Sequence, residues 1–323
     1  MTKAELDTLA ECLLRQGSLT VVGHSIPDGD CVGAVTAMLW ALKNMGKDVN
    51  AIIEDGVPAT YRFLKGTENI SSLNNIPHIN DCLVYLDCAT PERVGDELAG
   101  LLPRVSTIIN IDHHISNPGF GSHNLVDVNA SSTCEIVYRL LKRMNTPITV
   151  DIATPLYCGI VMDTGSFQYS STSPATHRLA ADLLEAGVDL DLVRTRLFES
   201  KTILEIELQK IAMDSLEFSE DGRIASMQLS YDELSKLGAV GQHFEGIINM
   251  ARNIENVEAA LLFREIKPGM IKVGFRSKQS LDVNRVASEW GGGGHKRAAG
   301  ATLQGELESV KKLVLAKVEE YLR

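Results

Sequence analysis

At 323 residues the chain is longer than a typical single domain, and two domains are its natural organisation. Its 44% hydrophobic content is that of an ordinary globular protein, and its apolar runs are short and broken, far from the roughly 20 residues that span a bilayer. A net charge of −11 argues against a general positive field that coats duplex nucleic acid, but a metal or a local basic patch would still admit a small anion.

The opening Met1-Thr2-Lys3-Ala4-Glu5 lacks the basic-then-apolar pattern of a secretory leader. Six scattered cysteines make no CxxC pair and read as buried free thiols, so a cytoplasmic location is expected. Periodicity predicts an amphipathic helix over 3–14, closed by Gly17. A buried strand at 19–23 then delivers the polar loop His24-Ser25-Ile26-Pro27-Asp28-Gly29-Asp30. Small and apolar residues at helical spacing follow over 32–45, stopped by Gly46, which makes the first half of a βαβ unit. Further strands are predicted at 48–53, at 82–86 ending in Asp87, and at 106–111 ending in Asp112-His113-His114.

Helical patterns at 92–99, 132–144 and 152–161 alternate with these strands. The expected fold is α/β: a doubly wound, mainly parallel sheet with helices on both faces. Another helix runs from Ser173 toward Glu185 and stops at Gly187. Residues 190–218 carry both charge signs without Gly or Pro and read as a helical connector. After Asp221-Gly222, short strands at 223–229, 257–264 and 271–276 alternate with helices. Four glycines then precede His295, and an amphipathic helix occupies 307–322. The expected domains are 1–188, a connector over 189–220, and a smaller α/β domain over 221–323.

Three of the four N-terminal strands end in metal-ligand chemistry. The first supplies His24, Asp28 and Asp30, the third Asp87, and the fourth Asp112, His113 and His114. Asp163, closing an apolar segment before Thr164-Gly165, is a further candidate. Singly, each reads as a turn or a helix cap. Together, carboxylates crowded at one sheet edge repel one another unless a cation neutralises them. The carboxyl ends of strands are also where open α/β sheets bind ligands. A metal pair is therefore expected, of the kind that holds ions about 3.5–4 Å apart for in-line displacement at phosphorus. With no cysteine among the candidates, manganese or magnesium fits better than structural zinc.

The segments His24-Ser25-Ile26-Pro27-Asp28-Gly29-Asp30, Leu86-Asp87-Cys88-Ala89-Thr90, Asp112-His113-His114 and Met162-Asp163-Thr164-Gly165 resemble the four motifs of the DHH phosphoesterases. Gly291-Gly292-Gly293-Gly294-His295 resembles the glycine-histidine motif of that family's C-terminal domain. The resemblance runs through nearly the whole chain, and it is strongest to the bacterial branch of oligoribonucleases and phosphatases of 3'-phosphoadenosine 5'-phosphate (pAp). It implies one metal on His24, Asp28 and Asp87 and a second on Asp30, Asp87, His113 and Asp163, with Asp87 bridging. It implies a catalytic set of His114, Asp87 and Asp112, in which His114 faces the scissile phosphate and Asp112 orients a histidine. The implied cofactors are two divalent ions, manganese first, with magnesium or cobalt as alternatives. The implied reaction releases mononucleotides from short RNA, or phosphate from pAp, with a metal-activated hydroxide as nucleophile and the C-terminal domain closing over the substrate. A phosphodiesterase of linear or cyclic dinucleotides and a nucleotide sensor without turnover are the rival readings. No long duplex and no membrane is expected as a partner; a homodimer is a family-level expectation.

Between Ile271 and Gly300, Lys272, Arg276, Lys278, Arg285, Lys296 and Arg297 outnumber Asp282 and Glu289. This local reversal points to an anionic partner. Arg276, His295 and the backbone at Gly292, Gly293 and Gly294 are expected to grip a non-scissile phosphate; the alternative is a flexible loop of solvated charges. Asn129-Ala130-Ser131-Ser132-Thr133, with Ser131 and Ser132 foremost, either presents hydroxyls or N–H groups to substrate or caps a helix. His78, His123, His177 and His243 read as surface or structural, and Trp40 as core. Trp290 either stacks on a base or packs.

Overall fold

Leu19, Val21 and Val22 of one strand, and Leu83, Val84 and Leu86 of another, are buried whichever way they point. Such strands need helices on both sides. The computed structural model, which describes residues 2–102, 105–240 and 246–322, supplies them. His243 lies outside the described residues. The chain divides into two compact units, Met1–Ser200 and Lys201–Arg323.

The first unit runs α1 (Lys3–Arg15), β1 (Ser18–Gly23), α2 (Gly29–Asn44), β2 (Asp48–Ile52), β3 (Ile70–Ser71), β4 (Cys82–Leu86), α3 (Asp96–Leu101), β5 (Thr107–Asp112) and β6 (His123–Val126). The helices α4 (Thr133–Arg143), α5 (Val150–Asp163), α6 (Pro174–Glu185) and α7 (Leu190–Phe198) follow. All six strands are parallel, in the order β3-β2-β1-β4-β5-β6. Helices α1, α2, α4, α5 and α6 bury one face around Leu13, Met38, Leu140, Leu156 and Leu183. The turn Pro91–Val94 and α3 cover the other around Leu83, Val94 and Leu98. Strand order reverses between β1 and β4, and at such a switch point the loops diverge and open a crevice at the carboxyl ends.

Two glycines let α2 and α5 close up. A Cβ on Gly33 would lie 2.4 Å from the Pro155 carbonyl, and one on Gly159 would lie 3.1 Å from the Asp30 Cα. That approach brings Asp30, at the start of α2, toward Asp163, at the end of α5.

The predicted connector is not a body of its own. Residues 190–218 contain α7, packed in the first unit through Val193, and α8 (Ile203–Asp214), packed in the second through Leu208 and Ala212. A two-residue strand, β7 (Glu217–Phe218), ends the stretch. Thr202 and Glu205 form a capping box that starts a fresh helix, so the absence of Gly and Pro did not mean continuity. The helix predicted over 92–99 is likewise interrupted, at Gly95, whose φ of 109° only glycine adopts readily.

The second unit continues with β8 (Ile224–Leu229), α9 (Tyr231–Lys236), α10 (Ile247–Arg252), β9 (Ala259–Lys267) and β10 (Met270–Ser277). It closes with α11 (Val283–Ser288), β11 (Gly293–His295), β12 (Ala298–Gln304) and α12 (Leu307–Leu322). Its sheet has the order β11-β12-β10-β9-β8-β7, antiparallel except between β8 and β9. Along β10, Ile271, Val273 and Phe275 face a core shared with Phe263 and Val314, which turns Lys272, Gly274 and Arg276 to the opposite face. Strand β12 escaped prediction because Ala298-Ala299-Gly300-Ala301 has almost no β-branched or aromatic content. No helix among the described residues is long and apolar enough to cross a membrane.

Candidate metal centre

Gly23 of β1 pairs with Leu86 of β4, and Leu86 with Ile111 of β5. The next residues along those three neighbouring strands are His24, Asp87 and Asp112, so one row of the sheet sets three site residues side by side. The chain must then turn sharply. Asp87 does so with φ 59°, a left-handed conformation that Asp tolerates better than most residues, and its N–H reaches the Ile111 carbonyl at 3.0 Å.

The resulting cluster is deeply buried. Asp112, Asp30 and Asp87 are at most 2% exposed, and His24 and His113 are 4% and 7% exposed. His24 Nε2 lies 3.8 Å from Asp28 Oδ1 and 3.4 Å from Asp87 Oδ2. His113 Nε2 lies 3.8 Å from Asp30 Oδ2, 3.7 Å from Asp87 Oδ1 and 3.5 Å from Asp163 Oδ2. These separations are too long for hydrogen bonds. They match a shared cation: two ligand atoms each about 2.1 Å from one ion in tetrahedral arrangement are about 3.4 Å apart. The groupings His24, Asp28, Asp87 and Asp30, His113, Asp163 each offer three such atoms. The donor set of carboxylate and imidazole fits a divalent ion.

Asp87 faces both groupings, one oxygen toward His24 and the other toward His113. Burial works against its charge, yet the surrounding histidines, His24 foremost, hold its pKa far below the usual carboxylate range. Asp30 goes the other way: burial, then the charges of Asp87 and Asp163, push it well above its ordinary value. Without a cation the cluster cannot keep all its carboxylates ionised. A raised pKa means that Asp30 holds its proton to higher pH, and metal must displace that proton. The apparent affinity for a divalent ion should therefore rise with pH through the range above the ordinary Asp value. Calorimetric titration with Mn2+ at a series of pH values measures it, and a pH-independent affinity would contradict the argument.

His114 behaves differently from its neighbour. Its Nδ1 lies 2.7 Å from Asp112 Oδ1, which also accepts the N–H of His113 at 2.8 Å. Asp112 Oδ2 accepts from Asn117 Nδ2 at 2.6 Å. With a carboxylate as acceptor, Nδ1 is the donor, and Nε2 lies on the ring edge away from that carboxylate. The ring of His24 is fixed in the same manner by its Nδ1, 2.8 Å from the Ser25 carbonyl.

Two supporting residues were not legible as such. Thr133 Oγ1 donates to Asp87 Oδ1 at 2.9 Å, while the N–H groups of Thr133 and Cys134 donate to the two oxygens of Asp30 at 2.6 and 2.8 Å. The N-terminus of α4 thus clamps a carboxylate from α2, as helix dipoles favour. Asn117 is the other, and its bond to Asp112 appears only in the folded chain. Ser131 and Ser132, beside Thr133, require a correction. They are 1% and 0% exposed; Ser131 bonds the Glu135 side chain and Ser132 caps α4, so the capping alternative holds for Ser132 and both hydroxyls are buried.

In the second unit, Arg276 and His295 both pair with Ala298, from either side. Directly opposed residues share a face, so the two side chains leave the same side of the sheet two strand spacings, about 10 Å, apart. Other cations serve structure: Arg297 donates to the Leu281 carbonyl at 2.8 Å, Lys278 to that of Ile254, and Arg285 sits over Tyr321. Two of the glycines have a local reason. A Cβ on Gly292 would meet the Gly300 carbonyl at 2.2 Å, and one on Gly294 the Ala298 carbonyl at 2.4 Å, so backbone approaches backbone there. Trp290 stacks on Phe275 with centroids 6.4 Å apart, a packing role, and Trp40 bonds the Lys65 carbonyl at the edge of the core.

Residues 18–160 match the model of the DHH family, N-terminal domain, and residues 226–323 that of the DHHA1 domain. The chain is 32% identical over 95% of its length to the bifunctional oligoribonuclease and PAP phosphatase NrnA of Thermus thermophilus, covering 91% of that protein. It is 27% identical to the protein of the same name from Bacillus subtilis, over 87% of each chain. Among solved structures, an exopolyphosphatase-related protein from Bacteroides fragilis superposes with a TM-score of 0.90 at 27% identity, covering 99% of this chain and 98% of that one. The chain belongs to the DHH family, with the family's N-terminal domain carrying the buried Asp-His cluster and a DHHA1 domain following it.

Proposed function

We propose that the protein is a two-metal phosphoesterase that hydrolyses short oligoribonucleotides to mononucleotides and pAp to AMP and phosphate. The observation that carries the reading is Asp87, a buried carboxylate whose two oxygens face two separate His-Asp groupings. Relatives named as oligoribonucleases and PAP phosphatases, similar along nearly the whole chain, support the substrate class. The reading assigns one ion to His24, Asp28 and Asp87 and a second to Asp30, Asp87, His113 and Asp163, with manganese as the preferred ion. When bound, the pair supplies Lewis-acid polarisation of a phosphate and a water that ionises near neutral pH. His114, its Nδ1 tied to Asp112, is assigned to the scissile phosphate through Nε2. The free state of all six cysteines supports a cytoplasmic location.

The test is turnover by Mn2+-loaded protein on pAp, di- to pentaribonucleotides, and linear and cyclic dinucleotides. Release of AMP from pAp and of mononucleotides from the oligomers is expected. Tight binding with no hydrolysis anywhere on that panel would identify a sensor and sink the proposal. Hydrolysis confined to dinucleotides would replace its substrate class.

Arg276 and His295 are assigned to a non-scissile phosphate, with their common sheet face as support. Arg276→Ala should raise KM about ten-fold or more and leave kcat nearly intact, the signature of a uniformly made binding contact. An unchanged KM removes Arg276 from the site.

A further inference from the structure

Of the strands β1, β2, β4 and β5, only β2 sends no residue into the cluster. The chain beyond it continues through Glu54 and Asp55, and both carboxylates reach across to neighbouring segments. Glu54 Oε2 accepts the Leu98 N–H at 2.7 Å and so fixes the first turn of α3. Asp55 Oδ2 accepts the N–H of Ile26 at 2.6 Å.

Ile26 is a strange residue to find where it is. It stands between His24 and Asp28 with φ 53°, in the left-handed region that a β-branched side chain avoids because its Cβ crowds the backbone carbonyl. It also precedes Pro27, and a residue before proline is pushed toward extended conformations. Nor does packing force the turn: Ile26 is 49% exposed. What holds it are backbone bonds, the Ile26 N–H on Asp55 and the Ser25 N–H on the Arg93 carbonyl at 2.7 Å. The same turn carries the Ser25 carbonyl that fixes the His24 ring. Releasing Ile26 to an extended conformation would swing that carbonyl away and separate His24 Nε2 from Asp28.

We propose that Asp55 is a positioning residue of the metal centre: its carboxylate tethers Ile26 and keeps the turn from His24 to Asp28 in the strained form that aims both side chains at one ion. The inference rests on the ligand assignment proposed above. It gives β2 its part in the site, as a brace for the loop beside it.

The experiment is calorimetric titration with Mn2+, together with thermal denaturation, of Asp55→Ala, Asp87→Ala, Ile26→Gly and the double variant Asp55→Ala/Ile26→Gly. Asp55→Ala should bind Mn2+ about ten-fold more weakly, the usual size for loss of a group that orients a ligand, while its melting temperature stays close to that of the parent. Glycine enters the left-handed region without crowding. Ile26→Gly should therefore keep parental affinity, and the double variant should regain most of what Asp55→Ala loses. Parental affinity in Asp55→Ala, with binding lost in Asp87→Ala, overturns the tether and leaves the ligand assignment standing. Parental affinity in Asp87→Ala overturns the ligand assignment itself. A double variant no tighter than Asp55→Ala assigns Asp55 a general structural role and also overturns the tether.

Discussion

Asp87→Ala should lower turnover by roughly 10³-fold, the scale of losing a preorganised electrostatic group from a buried centre. The expectation follows from geometry. Among the described residues Asp87 alone faces both His24 and His113, at 3.4 and 3.7 Å, and it also receives the Thr133 hydroxyl. Removing it deprives both groupings of a carboxylate at once, leaving His24 with Asp28 and His113 with Asp30 and Asp163. Single-turnover kinetics on pAp and on a dinucleotide, with Mn2+ well above saturation, would measure the loss. Turnover near that of the parent would refute Asp87 as the shared ligand. Asp87→Asn is the informative companion, because it keeps the shape and one acceptor oxygen while removing the charge.

His114→Ala should separate chemistry from metal binding. Its Nδ1 is committed to Asp112 at 2.7 Å, and its Nε2 is on the ring edge turned away from that carboxylate. A loss of kcat of about 10²- to 10³-fold, within the usual range for one positioned proton-transfer group, is expected with Mn2+ affinity close to that of the parent. His113→Ala should do the opposite, because His113 Nε2 is surrounded by Asp30, Asp87 and Asp163. Calorimetry and initial rates on the same two preparations decide the matter. Equal losses of Mn2+ affinity in both variants would make His114 a ligand and end the distinction drawn between the adjacent histidines.

Much of this centre was legible in the amino-acid order. Strands β1, β4 and β5 are short, apolar and bounded by polar residues, so their ends, and with them His24, Asp87 and Asp112, could be placed by periodicity alone. The long helices were legible for the same reason, as were the order of the motifs and the local excess of cations around Arg276. Where the pattern is weak, prediction failed for a nameable cause. Strand β12 lacks strand-forming side chains, β6 buries only Leu125, and the break between α7 and α8 is made by a capping box at Thr202, not by a helix breaker.

The residues that hold the ligands belong to tertiary structure. Thr133 follows Asp30 by 103 positions and touches it through its backbone N–H, a donor that every residue but proline owns. Asp55 tethers Ile26 across 29 positions by the same kind of bond. Ser131 and Ser132 resembled Thr133 in chemistry and turned inward, Ser132 to cap α4 and Ser131 to bond Glu135. By itself the sequence determined which side chains have the chemistry for a divalent ion, since that is a property of residue type at strand ends. Only the fold decided which of them lie together and what keeps them aimed, because backbone donors and chain reversals carry no residue-specific signature until the strands lie side by side.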